Sequence, residues 1–395
     1  MILAGDWVVP MDGPPIRDGA VRVEGRTIAE VGAATTADER FEGAVILPGL
    51  VNAHTHLEYA AMGGFGDGMA FGPWIQDHIR RKAATGADDS LEQARAGAAA
   101  CLHGGVTTIA DCSYSGAVAD AAAEAGLRAI VYLEGFSDWP DLRARTESRL
   151  DAATATDLVQ PGVSPHSPFT VTLDDYRMLV GLARERCVPV ATHLLESARE
   201  TVHLDAFAGI LGSDTVAIHL VFADPSDIEV MASRDIPAVH CPRSNALLGC
   251  GIAPLPELLA AGVRVGLGTD SPSSAIDFDM WAEMRAAVMH ARARLGRADA
   301  LSARTALDLA TAGGAAAIGL GAVTGTLTPG KAADLCVLDL TGSSFLPWDD
   351  PVTAAVYGGS CDRVALTMVD GAIRYRRGSH AFSTATAART KMIHA

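Results

Sequence analysis

The chain carries little positive charge and almost no lysine. It has 395 residues, of which 31 are Lys or Arg and 47 are Asp or Glu, a formal net charge of −16. The only lysines are Lys82, Lys331 and Lys391. Such a surface repels polyanions, so neither nucleic acid nor an anionic membrane is an expected partner. No apolar run approaches the ~20 residues that a membrane span needs. Cysteine is scarce and unpaired in pattern: Cys101, Cys112, Cys187, Cys241, Cys250, Cys336 and Cys361 are odd in number and form no C-x-x-C motif. That excludes a disulfide framework as the expectation and favours a reduced, cytoplasmic protein. Met1 to Met11 lacks a basic n-region, so no secretory signal is expected.

What is present is a large apolar content, 49% of residues, enough for one barrel-sized domain with an accessory layer or for two ordinary domains. Short apolar segments alternate with longer helical ones through the middle of the chain. The spacing predicts strands over Leu50–His56, Thr107–Asp111, Arg128–Glu134, Gly162–His166, Val188–His193, Thr215–His219, Ile236–Cys241 and Arg264–Asp270. Helical composition fills stretches between and after them, such as Leu91–His103, Leu173–Arg186, Pro225–Ser233 and Phe278–Leu295. Eight such units predict a closed (β/α)8 TIM barrel over residues 49–324. Both ends read as β-hairpins, one turning at Glu24-Gly25-Arg26 and one at Asp370-Gly371, with a further strand over Ala333–Leu340. The expected accessory domain combines residues 1–48 and 325–395. The Ala-, Thr- and Ser-rich tail after Gly378 is expected to be poorly ordered.

Histidine placement carries the chemistry. His54-Thr55-His56 ends an apolar run that is interrupted only by Pro48-Gly49. Residues two apart on a strand face the same way, so both imidazoles project together. His166, His193 and His219 end three further strands, His240 lies near the end of another, and Asp270 ends the eighth. In a closed barrel, side chains at strand C-terminal ends converge on one mouth. Three imidazoles plus a carboxylate suit one Zn²⁺ or Fe²⁺ with room for a water, whose pKa the ion lowers toward ~7. Hydroxide chemistry needs a proton carrier, and Glu196 stands three residues after His193, at the predicted start of the next helical segment. Gly325 to Lys331 looks like a phosphate loop, but Ala332 stands where Ser or Thr is needed and a strand follows, so no nucleotide site is expected there.

The segments Pro48-Gly49-Leu50-Val51-Asn52-Ala53-His54-Thr55-His56, Ser164-Pro165-His166, Thr192-His193-Leu194-Leu195-Glu196, Cys241-Pro242-Arg243-Ser244-Asn245, Gly268-Thr269-Asp270-Ser271 and Pro329-Gly330-Lys331-Ala332-Ala333-Asp334 occur in this order. In them the chain resembles the amidohydrolase superfamily, specifically its mononuclear deaminase and chlorohydrolase branch. The resemblance implies a barrel plus a small β-sandwich built from both termini. It implies that His54, His56, His193 and Asp270 hold the metal, that Glu196 shuttles the proton, and that His219 hydrogen-bonds the attacking oxygen. His166 would touch the substrate near its reacting ring, and Asp270 would also accept a proton. No lysine, Glu or Cys is available on the fourth strand to bridge two ions as in related binuclear hydrolases, so one metal is expected.

Within the branch the chain is similar to S-adenosylhomocysteine and methylthioadenosine deaminases. Glu58, Trp74-Ile75 and Cys241 to Asn245 look more like the aminodeoxyfutalosine deaminases, whose substrate carries a benzoate. The resemblance therefore implies Glu58, Trp74 and Arg243 as substrate contacts, Arg243 pairing with a carboxylate through its guanidinium fork; a structural Arg243 bonding loop carbonyls is the competing reading. The expected activity is hydrolytic deamination of an adenine-type nucleoside. Alternatives keep the site and change the substrate, to guanine, a pterin or a chlorotriazine. A barrel kept only for assembly is disfavoured by the intact ligand set. The family resemblance implies a homo-oligomer.

Overall fold

The computed structural model describes residues 1–200, 202–344 and 348–378; the tail after Gly378 lies outside the described residues. The N-terminal strands are β1 (Ile2–Val8), β2 (Ile16–Arg17), β3 (Gly19–Glu24), β4 (Thr27–Ala33) and β5 (Glu39–Pro48). Eight more follow: β6 (Leu50–Thr55), β7 (Val106–Ser113), β8 (Arg128–Gly135), β9 (Val159–Pro165), β10 (Val190–Leu194), β11 (Thr215–His219), β12 (Ala238–His240) and β13 (Val265–Leu267). The last three are β14 (Leu335–Asp339), β15 (Val364–Val369) and β16 (Ala372–Arg376).

Strands β6 to β13 pair in sequence order as one parallel sheet. β6, β7 and β8 are buried along their whole length, as strands covered on both faces must be. The sheet closes where β13 runs on toward β6. Thr55 bridges Asp270 in parallel, and the Asp270 N–H donates to the His54 carbonyl at 3.0 Å. The Asn52 side chain stitches the same seam, donating to Thr269 Oγ1 at 2.7 Å and accepting from the Thr269 N–H at 3.0 Å. The result is a (β/α)8 barrel with helices between its strands. Among them Leu173–Glu185 is capped by the Thr172 hydroxyl and Pro225–Ser233 by an Asp224 capping box. One unit differs from expectation: between β10 and β11 the described chain forms only a 3-10 turn, Leu204–Phe207.

The strands of both chain ends form a second eight-stranded sheet, β16-β15-β14-β5-β1-β3-β4, with β2 on β1. It curls back on itself, since Thr27 bridges Ala332 and the Ile28 N–H donates to the Lys331 carbonyl at 2.9 Å. Leu3, Val21, Ile28, Ile46, Leu335 and Leu366 pack inside the curl. The apolar run before His54 is thus shared between two sheets: β5 ends at Pro48 in this layer and β6 starts at Leu50 in the barrel. A Cβ on Gly49 would come within 2.1 Å of the Thr107 side chain, so only glycine fits the crossing. Lys331, in the segment resembling a phosphate loop, donates instead to the carbonyls of Gly321 and Thr324. Among the described residues no helix is long and apolar enough to cross a membrane.

Candidate active site

The barrel mouth brings His54, His56, His193, His219 and Asp270 together. Ligand atoms within 4.8 Å of one another occur in four overlapping sets: His54, His193 and His219; His54, His56 and Asp270; His56, Glu134 and His193; and Glu196, His219 and Asp270. The Nε2 atoms of His54 and His56 lie 3.6 and 3.5 Å from Asp270 Oδ1. Each neighbouring ring is oriented from behind. His56 Nδ1 lies 2.6 Å from the Cys112 carbonyl and His193 Nδ1 2.8 Å from the His166 carbonyl, which places a proton on Nδ1 and leaves Nε2 free. Neither ring nitrogen of buried His54 has a hydrogen-bond partner. An imidazole orphaned beside a carboxylate and two rings with free Nε2 atoms is a donor set that suits a divalent ion.

Electrostatics agree with that use. Burial lowers His54 and drives His56 and His193 well below the usual imidazole range, keeping the rings neutral as metal ligands must be. Burial alone would raise Asp270, but its interactions with His54 and the other rings reverse this and hold it well below the carboxylate range. Asp270 Oδ2 accepts from the hydroxyls of Ser244 and Ser274 at 2.7 and 2.9 Å, and Oδ1 accepts from the Ser271 N–H at 2.7 Å. His219 and Asp270 both adopt left-handed backbone, φ 76° and 59°. Such non-glycine conformations cost on the order of 1–3 kcal/mol each and concentrate at functional sites.

Glu196 lies in a loop after β10, not at a helix start. The Glu200 carboxylate accepts from the N–H groups of Leu195 and Glu196 at 2.6 and 2.9 Å and pins this loop locally. Glu196 Oε1 is 3.8 Å from His219 Nε2. Burial pushes Glu196 well above the usual carboxyl range, and Asp270 and Glu200 add to the effect, the direction a proton carrier near neutrality requires.

A cavity of about 780 Å³ opens over these groups, within the range of small-molecule sites. His166 and Trp74 line it. The His166 ring is fixed by Thr170, with Nδ1 2.7 Å from Oγ1, and burial lowers it to about 3. Trp74 donates from Nε1 to the Ser273 carbonyl at 3.0 Å and stacks on His78 with centroids 5.3 Å apart. Two expected substrate contacts are not brought to the cavity wall. Glu58 accepts from the N–H groups of Tyr114 and Ser115 at 2.5 and 3.0 Å and from the Ser115 hydroxyl, so its carboxylate holds a loop. Arg243 is committed to the buried Glu283 through Nε, and to Asp277 Oδ1 at 2.7 Å and the Asp277 carbonyl at 3.1 Å. Arg243 thus adopts the competing, structural arrangement: its guanidinium is paired with Glu283 and Asp277 and does not line the cavity.

Other cavity groups were not anticipated. Glu134, at the end of β8, is buried and lines the cavity; burial raises it to about 7. Lys82, on the helix Phe71–Ala84, places Nζ 4.0 Å from the Tyr114 ring centroid and 5.1 Å from that of Phe136. Asn245 fixes His219, with Oδ1 3.0 Å from Nδ1.

Comparison with known proteins agrees with this architecture. The sequence profile of the amidohydrolase family matches residues 45–374. A 5-methylthioadenosine/S-adenosylhomocysteine deaminase of Halobacterium salinarum is 35% identical over 387 residues, covering 91% of this chain and 89% of its own. A 5'-deoxyadenosine deaminase of Methanothermobacter thermautotrophicus is 32% identical over 395 residues, covering 93% and 92%. Among solved structures, an adenosine deaminase from Xanthomonas campestris with bound zinc superposes with a TM-score of 0.90 at 27% identity, over 100% of this chain and 98% of that one. A triazine hydrolase from Arthobacter aurescens shares the fold at a TM-score of 0.89 and 22% identity, over 99% of both chains.

Proposed function

The chain belongs to the amidohydrolase family, and from that membership we propose that it is a metal-dependent hydrolytic deaminase, releasing ammonia from an adenine-type nucleoside and leaving the inosine-type product. The observation that carries this is Glu196, a half-buried carboxylate 3.8 Å from His219 Nε2 that clusters with His219 and Asp270 beside the other histidines of the mouth. His54, His56, His193 and Asp270 would hold one Zn²⁺ or Fe²⁺; the zinc in the Xanthomonas enzyme supports zinc. When bound, such an ion is a Lewis acid that brings the pKa of a water from 15.7 toward ~7.

The remaining chemistry belongs to the chain's own residues. Asp270 takes a proton from the attacking water. Glu196 delivers the water's other proton to the ring nitrogen beside the reacting carbon, and the proton on Asp270 passes to the departing amine, which leaves as ammonia. His219 hydrogen-bonds the oxygen that adds to the ring, and His166 and Trp74 hold the ring in place. The names of the two curated relatives, both adenine-nucleoside deaminases, support this substrate class. With Arg243 occupied, a carboxylated nucleoside such as aminodeoxyfutalosine no longer has that residue as its support.

The test is ammonia release and the ultraviolet shift of zinc-loaded protein on adenosine, 5'-deoxyadenosine, methylthioadenosine and S-adenosylhomocysteine, with guanine and a chlorotriazine beside them. Turnover of an adenine nucleoside that Glu196→Gln lowers by ~10²–10⁴-fold is expected, the usual worth of a general acid–base. Turnover confined to guanine or the triazine overturns the reading.

A further inference from the structure

We propose that Glu134 reads the sugar of the substrate, accepting hydrogen bonds from its vicinal hydroxyls while Lys82 donates to their oxygens. This rests on the deaminase reading of the same cavity.

Carboxylates around the mouth are mostly spoken for. Asp270 accepts from Ser244, Ser274 and the Ser271 N–H and turns Oδ1 to the His54 and His56 rings. Glu58 is filled by Tyr114 and Ser115, Glu200 by the Leu195 and Glu196 N–H groups, and Glu283 by Arg243. Glu134 differs. It is 2% exposed, lines the cavity, and among the described residues no group hydrogen-bonds its carboxylate; Arg149 bonds only its main-chain carbonyl. A buried polar group without a partner is costly, and one that faces a cavity is satisfied by what enters it.

Its position selects which part of a nucleoside it meets. Glu196 clusters with His219 and Asp270, whereas Glu134 clusters with His56 and His193. The two open carboxylates therefore flank the histidine cluster from different sides. With the reacting edge of the base at Glu196, the rest of the nucleoside extends toward β8, where Glu134 and Lys82 line the same cavity. The Lys82 ammonium makes no ion pair among the described residues and rests on the Tyr114 ring at 4.0 Å. A vicinal diol offers two O–H donors and two acceptor oxygens. A carboxylate takes the first and an ammonium supplies the second, a pairing that no apolar 5' substituent can use.

The experiment compares KM and kcat for adenosine and 2',3'-dideoxyadenosine in zinc-loaded wild type, Glu134→Gln and Glu134→Ala, with zinc per chain measured in each. Wild type is expected to favour adenosine. Glu134→Ala should raise KM for adenosine at least tenfold more than KM for the dideoxy analogue, and Glu134→Gln, which keeps one acceptor, should fall between them. Equal losses on both substrates, no loss on either, or loss of zinc from both variants overturns the inference; loss of zinc would make Glu134 part of the metal donor set. A wild type active on adenine nucleosides with such equal losses leaves the deaminase reading standing. A wild type inert on every adenine nucleoside overturns both.

Discussion

Asn245 Oδ1 lies 3.0 Å from His219 Nδ1, and that contact decides which way the catalytic-side imidazole presents itself. With the Nδ1 proton held by the amide oxygen, Nε2 is left to face Glu196 at 3.8 Å. Asn245→Leu keeps the side-chain size and removes the acceptor. Its kcat should fall ~10–100-fold, the usual cost of losing an orienting partner, with KM changed far less. A fall in KM affinity with kcat intact would show that Asn245 touches substrate and does not act through His219.

Ser244 and Ser274 hold the Asp270 oxygen turned away from His54. Removing the Ser244 hydroxyl should weaken zinc ~10–100-fold in a chelator competition, while the same protein saturated with zinc recovers most of its rate. Stripping the metal from wild type should lower Tm, because an ion that binds only the folded chain stabilises it by mass action. An unchanged Tm on chelation would argue that the donor set holds no ion in the purified protein.

Arg243 is expected to be a stability residue. It faces the fully buried Glu283, which burial pushes up and Arg243 pulls back. Arg243→Ala leaves that carboxylate uncompensated, at a cost of about 3–5 kcal/mol. Its folded-state pKa then stands further above the unfolded value, so the native chain binds the extra proton. Stability of the variant therefore falls as pH rises from about 5 through 7 and beyond, relative to wild type. Urea unfolding at pH 5 and pH 8 checks this; a larger deficit at pH 5 would refute it.

How much of this was legible in the sequence follows from how local each signal is. Strands β6 to β13 were readable because each is a short apolar run, and several end in a histidine or aspartate that the barrel gathers at one mouth. At Pro48-Gly49, where the expected domains divide, β5 gives way to β6 within one apolar run, and what the sequence does not tell is that the Thr107 side chain lies where a Cβ on Gly49 would be. The helix expected at Glu196 gives way to a loop because Glu200, four residues on, takes the two N–H groups. Arg243 and Glu58 have the right chemistry for ligands, yet their partners lie 40 and 57 residues away. Glu134 obeys the same strand-end rule as the histidines, and a carboxylate ending β8 could have been found by it.

Arg128 joins the barrel to the terminal sheet. At the start of β8 it donates from Nε and Nη2 to the two Asp334 oxygens at 2.8 and 3.2 Å, and from Nη2 to Asp370 at 3.3 Å. Asp334 also accepts from the Asp370 N–H at 2.7 Å, so one buried carboxylate ties β8 to the hairpin of β15 and β16. Taking such a pair out of water is expensive, and its two halves are worth keeping only together. Asp334→Ala leaves the guanidinium buried beside a single acid and should cost about 3–5 kcal/mol. Replacing both partners with leucine removes the stranded charge and should recover part of that loss, although the Asp370 N–H stays unpaired. Urea midpoints of the single and double variants measure the difference. A double variant less stable than Asp334→Ala would mean that the pair contributes net attraction beyond its desolvation, and that the contact between the two sheets depends on the charge itself.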